Sequence, residues 1–332
     1  MSGTSQTRVT LLGAGASVES GLPDGEALAA RLIQTGRLPL LGKSLNRLRE
    51  NGFPDIERAF SVLDAVADLE RPGSLMADLK ANALLHRPLP MSPEQAASEL
   101  EIIQRELRQL LWHVDGIGSV LKANLLGEPY KPPEKVQYLL PLVTDSIGGT
   151  IASLNYDNSL ELAGGALVKV AEPGSKRVMT PEEQPNKVRL LKLHGSLDWK
   201  RTGDDVIGGA QPREREEYTP GIVFGAANKL RHYGPYLDLL RAFVGALAPA
   251  KHLFVIGYGF RDPHINEAIR IWAAKPGEKG LTKVLTVTQG PDSVRLPRVV
   301  ESWQVYDHLT VRLIPLLTSA FIKQFFSDFR LD

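Results

Sequence analysis

The stretch RVTLLGAGASVESGLPDGEALAARLI, residues 8–33, decides the fold class. Residues 8–12 form a short apolar, β-rich run of the kind that makes a buried strand. GAGAS follows, and GEALAARLI (25–33) then carries apolar residues at helical spacing. A strand, a glycine loop and a helix in succession open a βα unit. Glycines there let the backbone approach a pyrophosphate, and the helix start favours negative charge. The six-residue dinucleotide fingerprint would place glycine at position 18, where Val18 stands. A plain tight turn therefore explains Gly13 and Gly15 equally well.

Beyond this unit the strand signal stops. PDIERAFSVLDAV (54–66) places Ile56, Phe60, Leu63 and Val66 at helical spacing. Ser92-Pro93-Glu94-Gln95 reads as a helix start, with serine as N-cap, proline at the first helical position and glutamine reaching back. Leu100, Ile103, Leu107, Leu110 and Val114 share a face of the helix that follows. Residues 36–140 read as a helical insert. LGKS at 41–44 resembles the end of a P-loop, but Gly36 is one residue too distant and Pro39 intervenes, so it reads as surface loop.

Strand signals return after the insert. GTIASLNYD (149–157), VRLLKLHG (188–195), HLFVIGYG (252–259), KVLTVT (283–288) and HLTVRLI (308–314) are apolar runs of parallel-sheet character. Helical patterns lie between or after several of them; Asp262 reads as an N-cap with Pro263 behind it, and SAFIKQFFSDF closes the chain. The expectation is an α/β fold, a doubly wound, mostly parallel Rossmann-like sheet with an inserted helical subdomain. Residues 1–35 and 141–332 would form the sheet domain, and the insert would cover one edge of its mouth.

Composition narrows the function classes. The chain has 332 residues, with 39 Lys+Arg against 38 Asp+Glu, so nothing demands a polyanionic partner and no direct nucleic-acid signature stands out. Cysteine is absent, which removes disulfides, thiolate zinc sites and cysteine nucleophiles together. No stretch reaches the ~18 apolar residues of a membrane span, and the N-terminus lacks the pattern of a signal peptide. A cytoplasmic protein without membrane association and without a metal is expected.

Three further segments carry candidate chemistry. Asn155 and Asp157 in SLNYDNSLE fall at the carboxyl end of a strand, where ligands of doubly wound sheets bind. An Asx turn capping the next helix would explain Asp157 without a ligand. His194 in LLKLHGSLDW ends an apolar run, where a satisfied polar residue at a strand end is the bland reading. In VIGYGFRDPHIN, His264 sits in the first turn of a helix, a place that does not favour a cation.

GAGAS with SGLPD, then LNYD before SLE, then KLHGS, in this order, resemble the sirtuin superfamily, and in particular its bacterial branch in anti-phage defence. VIGYGFRDPHIN is similar to that branch's C-terminal nucleotide-loop motif. The resemblance runs from about Val9 to Thr288, with the insert unmatched in detail. It implies NAD as substrate. Gly13, Ala14, Gly15, Ala16 and Ser17 would hold its phosphates and ribose, with Pro23 and Asp24 near the nicotinamide ribose. Asn155 and Asp157 would lie on the nicotinamide side, and His194 would be the general base. Gly257 and Gly259 would approach the adenosine half, with Asp262 and His264 in the same nucleotide loop.

The cysteine-free chain departs from the sirtuin zinc module, which puts protein deacylation in doubt and makes water the simplest acceptor. The resemblance thus implies an NAD glycohydrolase acting by NAD depletion. It also implies control by homo-oligomerisation or by a HerA-like hexameric ATPase. A non-catalytic NAD or ADP-ribose-binding scaffold, an ADP-ribosyl transferase and a deacylase are the alternatives.

Overall fold

The structure, a computed structural model, describes residues 8–50, 55–67, 92–111, 131–170, 184–202, 205–208, 220–223, 235–277 and 280–326. Its centre is a seven-stranded parallel sheet. The strands are β1 (Arg8–Leu12), β2 (Thr150–Ser153), β3 (Val168–Val170), β4 (Val188–Lys192), β8 (His252–Ile256), β9 (Lys283–Thr288) and β10 (Leu309–Leu313). Their order is β10-β9-β8-β1-β2-β4-β3, and every pairing is parallel. From β1 the chain fills one side of the sheet and then returns to fill the other. The topological switch point therefore lies between β1 and β8, the place where such sheets bind ligands.

Alternation along the strands shows why this sheet is buried on both faces. Leu11, Leu191, Leu253 and Val255 enter one core with helices α7 (Tyr236–Leu247) and α8 (Pro263–Ala274). Leu12, Leu190, Phe254 and Ile256 enter the opposite core. There they meet α5 (Leu140–Asp145), α6 (Ser159–Gly164) and α10 (Thr318–Phe326). A strand that feeds two apolar layers needs the continuous hydrophobic runs seen in the sequence.

Helices α1 (Gly25–Gln34), α2 (Pro39–Glu50), α3 (Ile56–Ala67) and α4 (Pro93–Leu111) build a third cluster of their own. It touches the rest of the molecule through Tyr156, Leu197 and the partly buried Ile222. Ser92 and Gln95 form the expected reciprocal cap of α4, at 3.1 and 3.3 Å. Val114 of the expected helix face lies outside the described residues. Val136, Leu139, Leu142 and Val143 pack against the sheet instead of the helical cluster.

Two local readings are corrected. LGKS at 41–44 is not surface loop: it lies within α2, with Leu41 and Ser44 buried. Leu41 shares the helical spacing of Leu45 and Leu48, a signal that the P-loop comparison obscured. The run 188–195 does not continue as one strand. β4 ends at Lys192, and the chain turns at His194 into β5 (Gly195–Thr202). This strand forms a separate antiparallel sheet with β6 (Asp205–Ile207) and β7 (Pro220–Ile222).

Candidate active site

The loops after β1 and β8 lock together at the switch point. The Gly13 amide donates to Ile256 O and the Gly15 amide to Gly257 O, both at 2.9 Å. A Cβ on Gly13 would stand 2.6 Å from Gly257 O. One on Gly257, whose φ is +66°, would stand 2.2 Å from the Ala16 nitrogen. These glycines therefore permit backbone-to-backbone contact that no other residue allows. Since the amides of Gly13 and Gly15 are engaged by the neighbouring loop, the open start of the 3-10 turn 14–20 is what they present to the cavity. Ala14 is exposed there.

A cavity of about 440 Å³ opens above this junction. That volume suits a small-molecule ligand. Of the residues singled out in the sequence, it is lined by Gly13, Ala14, Gly15, Ser17, Pro23, Asp24, Asn155, Asp157, His194, Gly257, Gly259 and Asp262. Ala16 lies beneath, against a second cavity only about the size of a water. His264 is outside the lining, and its amide donates to Asp262 Oδ1 at 2.9 Å.

Asn155 is fixed from below. Its Nδ2 donates to Gly13 O and to Ser17 Oγ, each at 3.0 Å. A carbonyl can only accept, so the amide orientation follows from Gly13. Both amide hydrogens are then in use, and Oδ1 is the atom left to accept a hydrogen bond from a ligand. Asp157 does what an Asx turn does: its Oδ1 accepts from Ser159 N–H at 2.9 Å at the start of α6. Lys192, buried in the last position of β4, donates Nζ to the Asp157 carbonyl and pairs with Glu161 Oε1 at 3.3 Å. Burial raises the Glu161 carboxyl to about 6, against the lowering effect of Lys192.

His194 is 6% exposed and stands between the two sheets. Its carbonyl accepts from Val223 N–H at 2.8 Å. The following Gly195 has a φ of +84°, and a Cβ there would meet Gly221 O at 2.1 Å. The imidazole Nε2 lies 2.8 Å from Asp262 Oδ2, and the Tyr156 ring centre is 6.4 Å away. Burial, then the Glu57 and Asp262 carboxylates, hold the Tyr156 hydroxyl well above the ordinary phenol range. That phenol stays neutral and donates to Val223 O at 3.0 Å.

Several lining residues escaped the sequence. Asp55, Ile56, Glu57 and Leu111 form a wall from the helical cluster. Arg261 and Gln289 line the side of β8 and β9, and Gln289 Nε2 donates to Tyr258 O at 2.7 Å. Arg261 and Gln289 each follow a strand in a glycine-containing loop, a position that could have signalled them. Nothing in the local sequence marks the helical wall, because it is set by packing across the chain. Among the described residues no group of three or more His, Asp or Glu could hold a metal ion, and no helix is long and apolar enough to cross a membrane.

A family profile described as a SIR2-like domain matches residues 149–308. That span includes the segments bearing Asn155, His194 and Asp262. A comparison with curated proteins found no match. Among solved structures, the chain is similar to a Sir2 bound to an inhibitor, 2′-O-acetyl-ADP-ribose and a deacetylated peptide. The identity is 15%, over 97% of this chain and 94% of the other, with a TM-score of 0.47. A Sir2 homologue mutant with 2′-O-acetyl-ADP-ribose is similar at 14% identity, 98% and 94% coverage and TM-score 0.48. A Sir2–peptide–NAD⁺ complex is similar at 15%, 98% and 94%, and 0.43.

Proposed function

We propose that the chain is an NAD⁺ glycohydrolase that cleaves the nicotinamide–ribose bond to give nicotinamide and ADP-ribose. The observation that carries this reading is the placement of Asn155 and His194 on one cavity at the switch point of the sheet. The SIR2-like match over 149–308 supports it. The substrate fits the cavity's chemistry. The nicotinamide nitrogen is already cationic, so the group leaves with the bond's electron pair and needs no general acid. What remains is to hold the ribose and supply a nucleophile to its C1′ carbon. Asn155 Oδ1 accepts a hydrogen bond from a ribose hydroxyl or the attacking water. His194 takes the water proton as the C1′–O bond forms.

The biological setting that goes with this reading is cytoplasmic NAD depletion in anti-phage defence. An unrestrained glycohydrolase would be toxic, so activity depends on assembly, either of copies of this chain or with a HerA-like ATPase.

Product analysis tests the reading. Purified chain incubated with NAD⁺ is expected to give nicotinamide and free ADP-ribose in equal amounts. Nicotinamide without free ADP-ribose would assign transfer to another acceptor and overturn hydrolysis. Binding of NAD⁺ without any cleavage, even at high protein concentration and with a candidate ATPase, would leave a scaffold.

A further inference from the structure

We infer that Asp262 is a positioning residue for His194, fixing the imidazole in the tautomer that leaves Nδ1 as the proton acceptor. This rests on the glycohydrolase reading for its catalytic consequence, and on geometry alone for the tautomer.

The sequence explains Asp262 as a helix cap, and one oxygen does that. Oδ1 accepts from the amides of His264 at 2.9 Å and Ile265 at 3.4 Å, at the start of α8. The cap leaves Oδ2 unexplained, and Oδ2 lies 2.8 Å from His194 Nε2. Both side chains are buried, at 7% and 3% exposure. The α8 amides and the positive end of that helix favour the ionised carboxylate. An ionised carboxylate only accepts, so His194 Nε2 must carry the hydrogen. In the neutral ring Nδ1 then holds the lone pair.

The pair also spans the site. His194 follows β4 and Asp262 follows β8, three strand positions apart in the sheet. At normal strand spacing that is about 14 Å between strand ends. The gap is closed from both sides: Leu193 N–H donates to Ser153 O at the end of β2, and the β8 loop lies against the β1 loop, with Gly15 N–H donating to Gly257 O, both at 2.9 Å. Asp262 thereby ties the histidine to the same loop that carries Gly257 and Gly259. In the hydrolytic step, water oxygen bonds to C1′ as the C1′–N bond breaks toward nicotinamide. The water proton passes to Nδ1 and then to solvent, while Nε2–H stays on Asp262 and stabilises the imidazolium.

The test is Asp262→Asn. Asparagine keeps the cap, because its oxygen still accepts the α8 amides, but it turns an NH₂ toward the ring. Nε2 must then accept, and the hydrogen moves to Nδ1, where the base should be. ¹⁵N spectra of histidine-labelled protein, with His194 assigned from His194→Ala, read the tautomer directly. The expected result is Nε2–H in the parent chain and Nδ1–H in Asp262→Asn. With it, kcat for NAD⁺ falls about 10²–10⁴-fold, as a misplaced proton does in other His–Asp pairs. ADP-ribose affinity stays within about threefold.

An Nδ1–H tautomer in the parent chain would overturn the inference. So would an Asp262→Asn chain that keeps both its kcat and the parent tautomer. If the parent chain cleaves no NAD⁺, the glycohydrolase reading fails, and the two spectra still decide the positioning claim by themselves. Asp262→Ala, which loses cap and tether together, is expected to lower the melting temperature where Asp262→Asn does not.

Discussion

At the scale of single residues, the site depends on groups whose partners leave them one orientation. Asn155 has both amide hydrogens engaged by Gly13 O and Ser17 Oγ. Asn155→Asp places a carboxylate oxygen against a carbonyl and removes both donors. We expect ADP-ribose affinity to fall more than about tenfold and stability to drop by about 1–3 kcal/mol, read by calorimetry and chemical denaturation. Gly195→Ala is expected to cost at least about 2 kcal/mol, since it forces a side chain into φ +84° and against Gly221 O. An Ala variant with parent stability in urea would contradict that account. His194, Asn155 and the glycines were legible in sequence through the order of their motifs, since each taken alone had an ordinary reading as a strand end, an Asx turn or a tight turn. The second job of Asp262 was hidden, because its cap already explained it. Lys192 was hidden too, although a lysine within LLKLHG is an anomaly in a buried strand.

At the scale of elements, one buried carboxylate and one partly buried one hold pieces of structure that the sequence reads separately. Glu99 of α4 accepts from the Leu40 and Leu41 amides at 2.7 and 2.9 Å, at the start of α2. It supplies the cap that α2 lacks in its own sequence. Glu99→Ala is expected to destabilise by about 1–3 kcal/mol in urea denaturation, and Glu99→Gln by less. Glu161 makes a pH-dependent contribution. Its folded pKa of about 6 lies above the ordinary 4.5, so the folded chain keeps a proton that the unfolded chain releases. Stability from this group is full below about pH 4.5 and is lost as pH rises through about 6. Compared with Glu161→Gln, the parent chain should therefore lose about 1–2 kcal/mol between those limits. A difference that is flat or rises with pH would contradict this. Six strands of the parallel sheet were legible as apolar runs, whereas β3, three residues of sequence VKV, is too short to give that signal. The antiparallel β5-β6-β7 sheet was not legible either, since β6 and β7 have only three residues each and β7 pairs with β5 from a distant part of the chain.

At the scale of the whole molecule, the parallel sheet sets the place of the site and the helical cluster closes it. The order of strands follows from the sequence only through the rule that crossovers of a doubly wound sheet reverse once. The reversal puts the β1 and β8 loops side by side. The wall of Asp55, Ile56, Glu57 and Leu111 comes from packing between distant helices, and no local pattern announces it. If activity is controlled by assembly, the rate of nicotinamide release per chain should rise with protein concentration; a rate per chain independent of concentration would leave regulation to a partner. The most direct test of the central claim is nicotinamide release from NAD⁺ by the purified chain beside His194→Ala, with ADP-ribose binding measured on both. The account predicts release by the parent chain, a fall of about 10²–10⁴ in the variant and nearly equal binding. Equal release by both chains, or a cavity that binds neither NAD⁺ nor ADP-ribose, would contradict it.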